Sequence, residues 1–113
     1  MNYKFTKEER LRKTNEFRNV FENGKVFKDK NFVAHLLLNN RQNSRIGIIA
    51  KKKIGNAVKR NRTKRIFRDA FRTEKNGLAS NIDIIIIPRI KAEEITYSLA
   101  KGFIEKLSNY IKH

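Results

Sequence analysis

The sequence predicts a single α/β domain in which one mixed sheet carries packed helices, and three observations lead there. A length of 113 residues with 39% hydrophobic side chains holds one modest core and leaves no room for two. Apolar spacing switches along the chain between helical recurrence and strand-like runs. Four consecutive isoleucines, Ile84 to Ile87, then mark a strand buried on both faces or nearly so.

Each element follows from local pattern. Asn15 to Glu22 reads as a short helix, with Phe17, Val20 and Phe21 at helical spacing. Thr14 is its expected N-cap, and Gly24 its left-handed stop. Val26 to Lys28 is a short strand and Phe32 to Leu38 a stronger one. Asn39, Asn40, Gln42, Asn43 and Ser44 mark a turn before the strand Arg45 to Ala50. Asn56 to about Thr73 is the second helix, with a narrow apolar stripe of Ile66, Phe67 and Ala70. Gly77 and Ser80 punctuate the chain ahead of the strand Ile82 to Ile87. The last helix is expected from about Ala92 to Ile111, its stripe Ile95, Leu99, Phe103, Leu107 and Ile111 being spaced four apart. The whole chain, 1–113, reads as one domain with an ordered core of about 10–111. It has no repeat or low-complexity tract, and Pro88 is its only proline.

Charge narrows the function. Lys and Arg number 27 against 11 Asp and Glu, a net charge of +16. So much like charge on a small globule asks for a polyanion, and nucleic acid is the commonest. A membrane partner is disfavoured, because no apolar run approaches the roughly 20 residues of a span and Met1 to Arg10 lacks a signal-peptide core. There are no cysteines, which excludes disulfides and thiolate metal sites and suits a reducing cytoplasm, the expected location.

The basic residues are concentrated. Lys51 to Arg72 holds ten Lys or Arg and one acid, Asp69. At about 100° per residue, Asn61, Lys64, Arg65, Arg68 and Arg72 share one helix face, broadly opposite the apolar stripe. Planar guanidinium groups suit phosphate oxygens, and the helix start adds free backbone donors and a positive dipole end. The plainer reading is a solvated charged face, whose self-repulsion would cost stability with nothing to offset it.

The ordered run from Lys52 to Arg68, with Gly55-Asn56-Ala57-Val58, Arg60-Asn61-Arg62 and Lys64-Arg65, resembles the signature of the bacterial ribonuclease P protein subunit. Leu11-Arg12-Lys13, Phe17, Phe21 and Asp83 with its apolar strand resemble the same family, so the likeness covers about Arg10 to Ile111. The resemblance implies a two-layer α/β sandwich, a four-stranded mixed sheet with three helices and a left-handed βαβ crossover. That fold is similar to the second domain of a small-subunit ribosomal protein. Sequence pattern alone would favour a right-handed crossover.

The resemblance also implies a function: binding the ribonuclease P catalytic RNA and the single-stranded 5′ leader of precursor tRNA, whose removal gives the mature 5′ end. By motif position, Lys52, Lys53, Asn56, Arg60, Asn61, Arg62, Lys64, Arg65 and Arg68 would face the catalytic RNA. The leader cleft would comprise Phe17, Phe21, His35, Arg89 and Lys91. The family commonly has tyrosine where this chain has His35, and a small hydroxyl residue where it has Lys51. Structural alternatives stand beside these roles: core packing for Phe17 and Phe21, and a satisfied structural histidine for His35. Strand alternation puts Val33, His35 and Leu37 on one side of the sheet and Phe32, Ala34, Leu36 and Leu38 on the other.

No catalytic constellation is visible. The histidines are His35 and His113, without ligand spacing, and Glu8-Glu9 and Glu93-Glu94 read as caps or solvated charges. Asp69 reads as a salt-bridge partner of Arg65 or Arg72. The expectation is an accessory subunit of an endoribonuclease with no catalytic or metal-ligating residue of its own. The RNA would perform phosphodiester hydrolysis and hold most of the Mg2+, with no obligate protein partner implied. A noncatalytic ribosomal-type RNA-binding protein is the main alternative, and a protein-only nuclease is a third that lacks the acids.

Overall fold

The computed structural model describes residues 9–74, 78 and 81–112. In chain order these form α1 (Thr14–Asn23), β1 (Lys25–Lys28), β2 (Phe32–Leu38), β3 (Arg45–Ile48), α2 (Ala57–Glu74), β4 (Ile82–Pro88) and α3 (Tyr97–Lys112). Short 3-10 turns, Lys52–Ile54 and Ala92–Glu94, precede α2 and α3. The sheet order is β1-β2-β4-β3. β2 is antiparallel to β1 and β4, whereas β3 runs parallel to β4. Three helices on a four-stranded mixed sheet is the architecture expected. Gly77 and Ser80 lie outside the described residues.

The isoleucine run occupies the sheet centre, so both its faces are covered. Ile82, Ile84 and Ile86 point into the main core with Phe32, Phe67, Phe71, Phe103 and Leu107, between the sheet and α2 and α3. Ile85 points the other way and joins Leu11 and Val20, with Phe17, Leu37, Ile49 and Ile87 packed around them. Helix α1 therefore covers part of the opposite face. Arg10 bridges to Ile46 in parallel, and the Leu11 N–H donates to the Ile46 carbonyl at 3.1 Å, so the entering chain lines the outer edge of β3. Among the described residues, no helix is long and apolar enough to cross a membrane.

Four local expectations change. Thr14 begins α1 instead of capping it, and the Glu16 carboxylate accepts from the backbone N–H groups of Arg12 and Lys13 at 3.1 and 3.0 Å. Gly24 is extended, with φ −91° and ψ 176°, and leads straight into β1. Glycine is needed there because a Cβ would collide with the Leu36 and Val20 carbonyls. In α2 the buried set is Thr63, Phe67, Ala70 and Phe71, while Ile66 is only partly buried.

The final helix is interrupted. Ala92–Glu94 is a 3-10 turn, Ile95 is extended, and Thr96 Oγ1 accepts from the Leu99 N–H at 3.2 Å as α3 begins. Leu99 is 38% exposed, and the buried face is Ala100, Phe103, Ile104, Leu107 and Ser108. A strict four-residue spacing advances about 40° per step, so five such positions cannot share one face of a straight helix. Mixed three- and four-residue steps do.

Candidate nucleic-acid interface

Parallel pairing of β3 and β4 brings the loops that follow them to the same end of the sheet. Lys91 Nζ donates to the Lys53 carbonyl at 3.1 Å, and a Cβ on Gly55 would touch Ala92 Cβ at 3.2 Å. Lys51, Lys52 and Lys53 are exposed there, just ahead of α2. Asn56 caps α2 by accepting the Lys59 N–H on Oδ1 at 2.9 Å, which engages one end of its amide within the protein. Arg89 is exposed next to them, its Nη1 donating to the Asp29 carbonyl at 3.3 Å.

Along α2, Asn61, Arg62 and Arg65 are exposed, whereas Arg60, Lys64 and Arg68 are half-buried. Arg62 donates to the Ile95 carbonyl at 3.2 Å, tying the helix to the start of α3. Lys59 pairs with Glu93 at 3.3 Å and Arg72 with Asp69 at 3.6 Å, both near the surface. Glu94 accepts the Lys91 N–H at 3.3 Å, so it serves as a cap. Burial, and after it the charge of Arg10, push the Arg68 guanidinium below its ordinary value. The Nε atoms of Arg60 and Arg72 are shielded without a hydrogen-bond partner among the described residues.

On the other side of the sheet, register places Val26, His35, Ile85 and Gly47 in one cross-strand row. Helix α1 lies over this row. Phe17 fills the space above Gly47, where a Cβ would sit 2.6 Å from its ring, and Phe21 meets the His35 ring edge-on at 4.7 Å. Phe17 is therefore mainly a packing residue. Phe21, 41% exposed, and Val26, 50% exposed, form an open lip. The next row, Lys28, Val33 and Ile87, includes half-buried Val33 and Ile87 and runs toward the basic loops. Burial pushes the His35 imidazole below its ordinary value, so the neutral ring predominates near neutrality.

A charged clasp fixes α1 against this face. Arg45 lies opposite Asp83 in the parallel pair and donates to it through Nε and Nη2 at 2.8 and 2.6 Å. Its Nη1 donates to Glu16 at 2.6 Å. Burial alone would raise the Glu16 carboxyl, yet the backbone N–H groups of Lys13 and Arg12 and the Arg45 guanidinium outweigh it and hold it at about 2. The Asp83 hydrogen bonds raise Arg45 against burial. Arg45 appeared in the sequence only as a strand start. Its signal was a cation at the first position of one apolar strand and an acid at the second position of another.

The fold has counterparts among known proteins. The ribonuclease P family model matches residues 5–112. The chain belongs to the ribonuclease P protein family. It is 37% identical to the ribonuclease P protein component of Thermotoga petrophila, over 99% of this chain and 97% of the relative. For the Bacillus cereus protein component the values are 42%, 89% and 86%. Among solved structures, the Staphylococcus aureus RNase P protein superposes with TM-score 0.78 at 30% identity, covering 90% of this chain and 94% of that one. The Thermotoga maritima protein gives 0.76 at 36%, covering 92% and 96%. Membership implies an RNA partner in a ribonucleoprotein for tRNA processing. Among the described residues, no three His, Asp or Glu side chains converge where a cation could be caged.

Proposed function

We propose that this chain clamps the ribonuclease P RNA with α2 and its leading loop while the strip between α1 and β1 holds the 5′ leader of precursor tRNA. The observation that carries this reading is continuity. Lys91 touching Lys53 joins the end of the aromatic strip to the start of the arginine helix, so one RNA partner and an adjoining single strand can lie on one connected surface.

The division of labour follows from the residue types. Lys52, Lys53, Arg60, Arg62, Lys64, Arg65 and Arg68 neutralise phosphates, and Asn56 and Asn61 offer amide hydrogen bonds. Phe21 and His35 give an unpaired base a ring surface, with Phe17 holding the wall behind them. Arg89 stands at the rim. Lys91 bonds toward the basic loop and is assigned to the junction between the two surfaces. In this reading Mg2+ is held by phosphates of the RNA subunit, and the metal bound there supplies the hydrolytic chemistry. The protein screens phosphate repulsion and positions the leader in the cytoplasm, where the precursor is made.

Reconstitution with the cognate catalytic RNA tests this directly. Cleavage of precursor tRNA at low Mg2+ should require the protein, and its affinity for that RNA should fall by about 10³ or more between 50 and 400 mM salt if several phosphates are neutralised. A flat salt dependence, or no rescue of cleavage, would overturn the proposal.

A further inference from the structure

The open strip beside α1 is bordered on β1 by an exposed cation, Lys28. Lys28 lies opposite Val33, and Val33 opposite Ile87, so strand register sends the Lys28 side chain to the sheet face that carries His35 and α1. Ile87 belongs to the apolar cluster of that face. Arg89 reaches the same corner from the end of β4. Its backbone N–H donates to the Asn31 carbonyl at 2.8 Å, and its Nη1 donates at 3.3 Å to the carbonyl of Asp29, the residue that follows Lys28. The acid of this hairpin is engaged elsewhere. Asp29 Oδ1 accepts the N–H groups of Asn31 and Phe32, both at 2.8 Å, and Oδ2 pairs with Lys106 of α3 at 3.6 Å.

Two cations thus flank one turn, with half-buried Val33 and Ile87 as an apolar floor beside them. Arg89 uses one of its five N–H donors on the Asp29 carbonyl and keeps others for a second acceptor. Helices α2 and α3 pack on the opposite face of the sheet, so an RNA lying along α2 does not cover this corner, whereas a strand lying on the strip passes it. An apolar floor for bases with cations along its border is the arrangement that holds a single strand. We propose that Lys28 and Arg89 together hold the phosphate backbone of the leader where it enters the strip from the basic loops. The Lys28 row lies one row, about 7 Å, nearer those loops than the His35 row. Counted from the cleavage site, the leader therefore meets the two cations before it meets the Phe21–His35 rings. This rests on the reading that the strip holds the leader, adds Lys28 to it, and fixes the direction in which the leader runs.

The test is binding of precursor tRNA to the holoenzyme, reconstituted with full-length catalytic RNA at fixed salt, for wild type, Lys28→Gln and Lys28→Glu. Lys28→Gln should weaken binding of leader-bearing precursor about two- to fivefold, and Lys28→Glu should weaken it further, whatever the leader sequence. Mature tRNA should bind as before. Replacing leader phosphates one at a time by uncharged methylphosphonate locates the contact. Wild type should lose affinity at one linkage, or two adjacent ones, where Lys28→Gln loses nothing further. That linkage should lie nearer the cleavage site than the nucleotide whose abasic replacement abolishes the effect of Phe21→Ala. An unchanged ratio of leader-bearing to leaderless affinity in both Lys28 variants, an equal loss for mature tRNA, or a linkage beyond the Phe21 nucleotide would overturn the proposal. If wild type itself binds leader-bearing and leaderless tRNA alike, the strip reading fails. If it discriminates between them while the Lys28 variants keep its ratio, only the Lys28 contact falls.

Discussion

The two faces of the sheet are built on different principles. Toward α2 and α3, the core is dry and aromatic: Phe32 meets Phe67 edge-on at 5.1 Å and Phe103 in a tilted contact at 5.2 Å. Toward α1, the apolar cluster is small, a charged clasp of Arg45, Asp83 and Glu16 holds the helix, and Phe21 and Val26 remain open to solvent. The first face fixes the fold by burial. The second holds a helix in place by directional bonds, which secure position without covering the surface between α1 and β1. A binding strip can therefore stay open beside a stable core.

Substitutions can break this contrast, and the largest effect belongs to the aromatic face. Phe67→Ala should destabilise the domain by about 3–5 kcal/mol, since the ring is fully buried in the main cluster. Chemical melts measure it, and a loss near that of an exposed residue would contradict the dry-core account.

On the other face, Arg45→Met should cost about 3 kcal/mol, because it leaves the Asp83 and Glu16 carboxylates without the cation that joins them. The clasp also sets a pH dependence. Glu16 in the folded chain sits at about 2 against an ordinary 4.5, so its stabilisation is fully present above pH 4.5 and is lost as pH falls toward 2. Glu16→Gln should flatten that part of the stability profile. An unchanged profile would remove Glu16 from the clasp.

The open strip gives the smallest and most specific effect. His35→Ala should weaken holoenzyme binding of leader-bearing precursor by at most about 1–3 kcal/mol, and by less where the small imidazole stacks poorly. Mature tRNA should bind as before, and His35→Tyr should preserve or strengthen leader binding. The ratio of dissociation constants for leader-bearing and leaderless tRNA is the quantity to follow. An equal ratio in wild type and His35→Ala would turn the Phe21–His35 contact into plain packing.

How much was legible beforehand differs by element. The Phe32–Leu38 strand was readable end to end, since alternation and β-branched or aromatic content are local properties. The isoleucine strand was readable because a run apolar on both faces has few other places to go. The arginine helix was visible too, and its signature carried the family. The break before α3 was not, because Thr96 as a cap competes with an apolar stripe that looks continuous on paper. Gly24 was misread for a similar reason. A glycine after a helix usually serves a left-handed turn, whereas this one admits two carbonyls that belong to α1 and to β2.

Charge, binary pattern and the ordered basic run determined the class of the protein, its single sheet and its nucleic-acid partner, since each depends on residues near one another in sequence. Tertiary structure alone decided that Arg45 finds Asp83 and Glu16, and that Phe17 packs on Gly47 while Phe21 stays open. Those pairings join residues from different elements. They exist only once strand order and register are set, and register is settled by burying the isoleucine strand between two unlike faces.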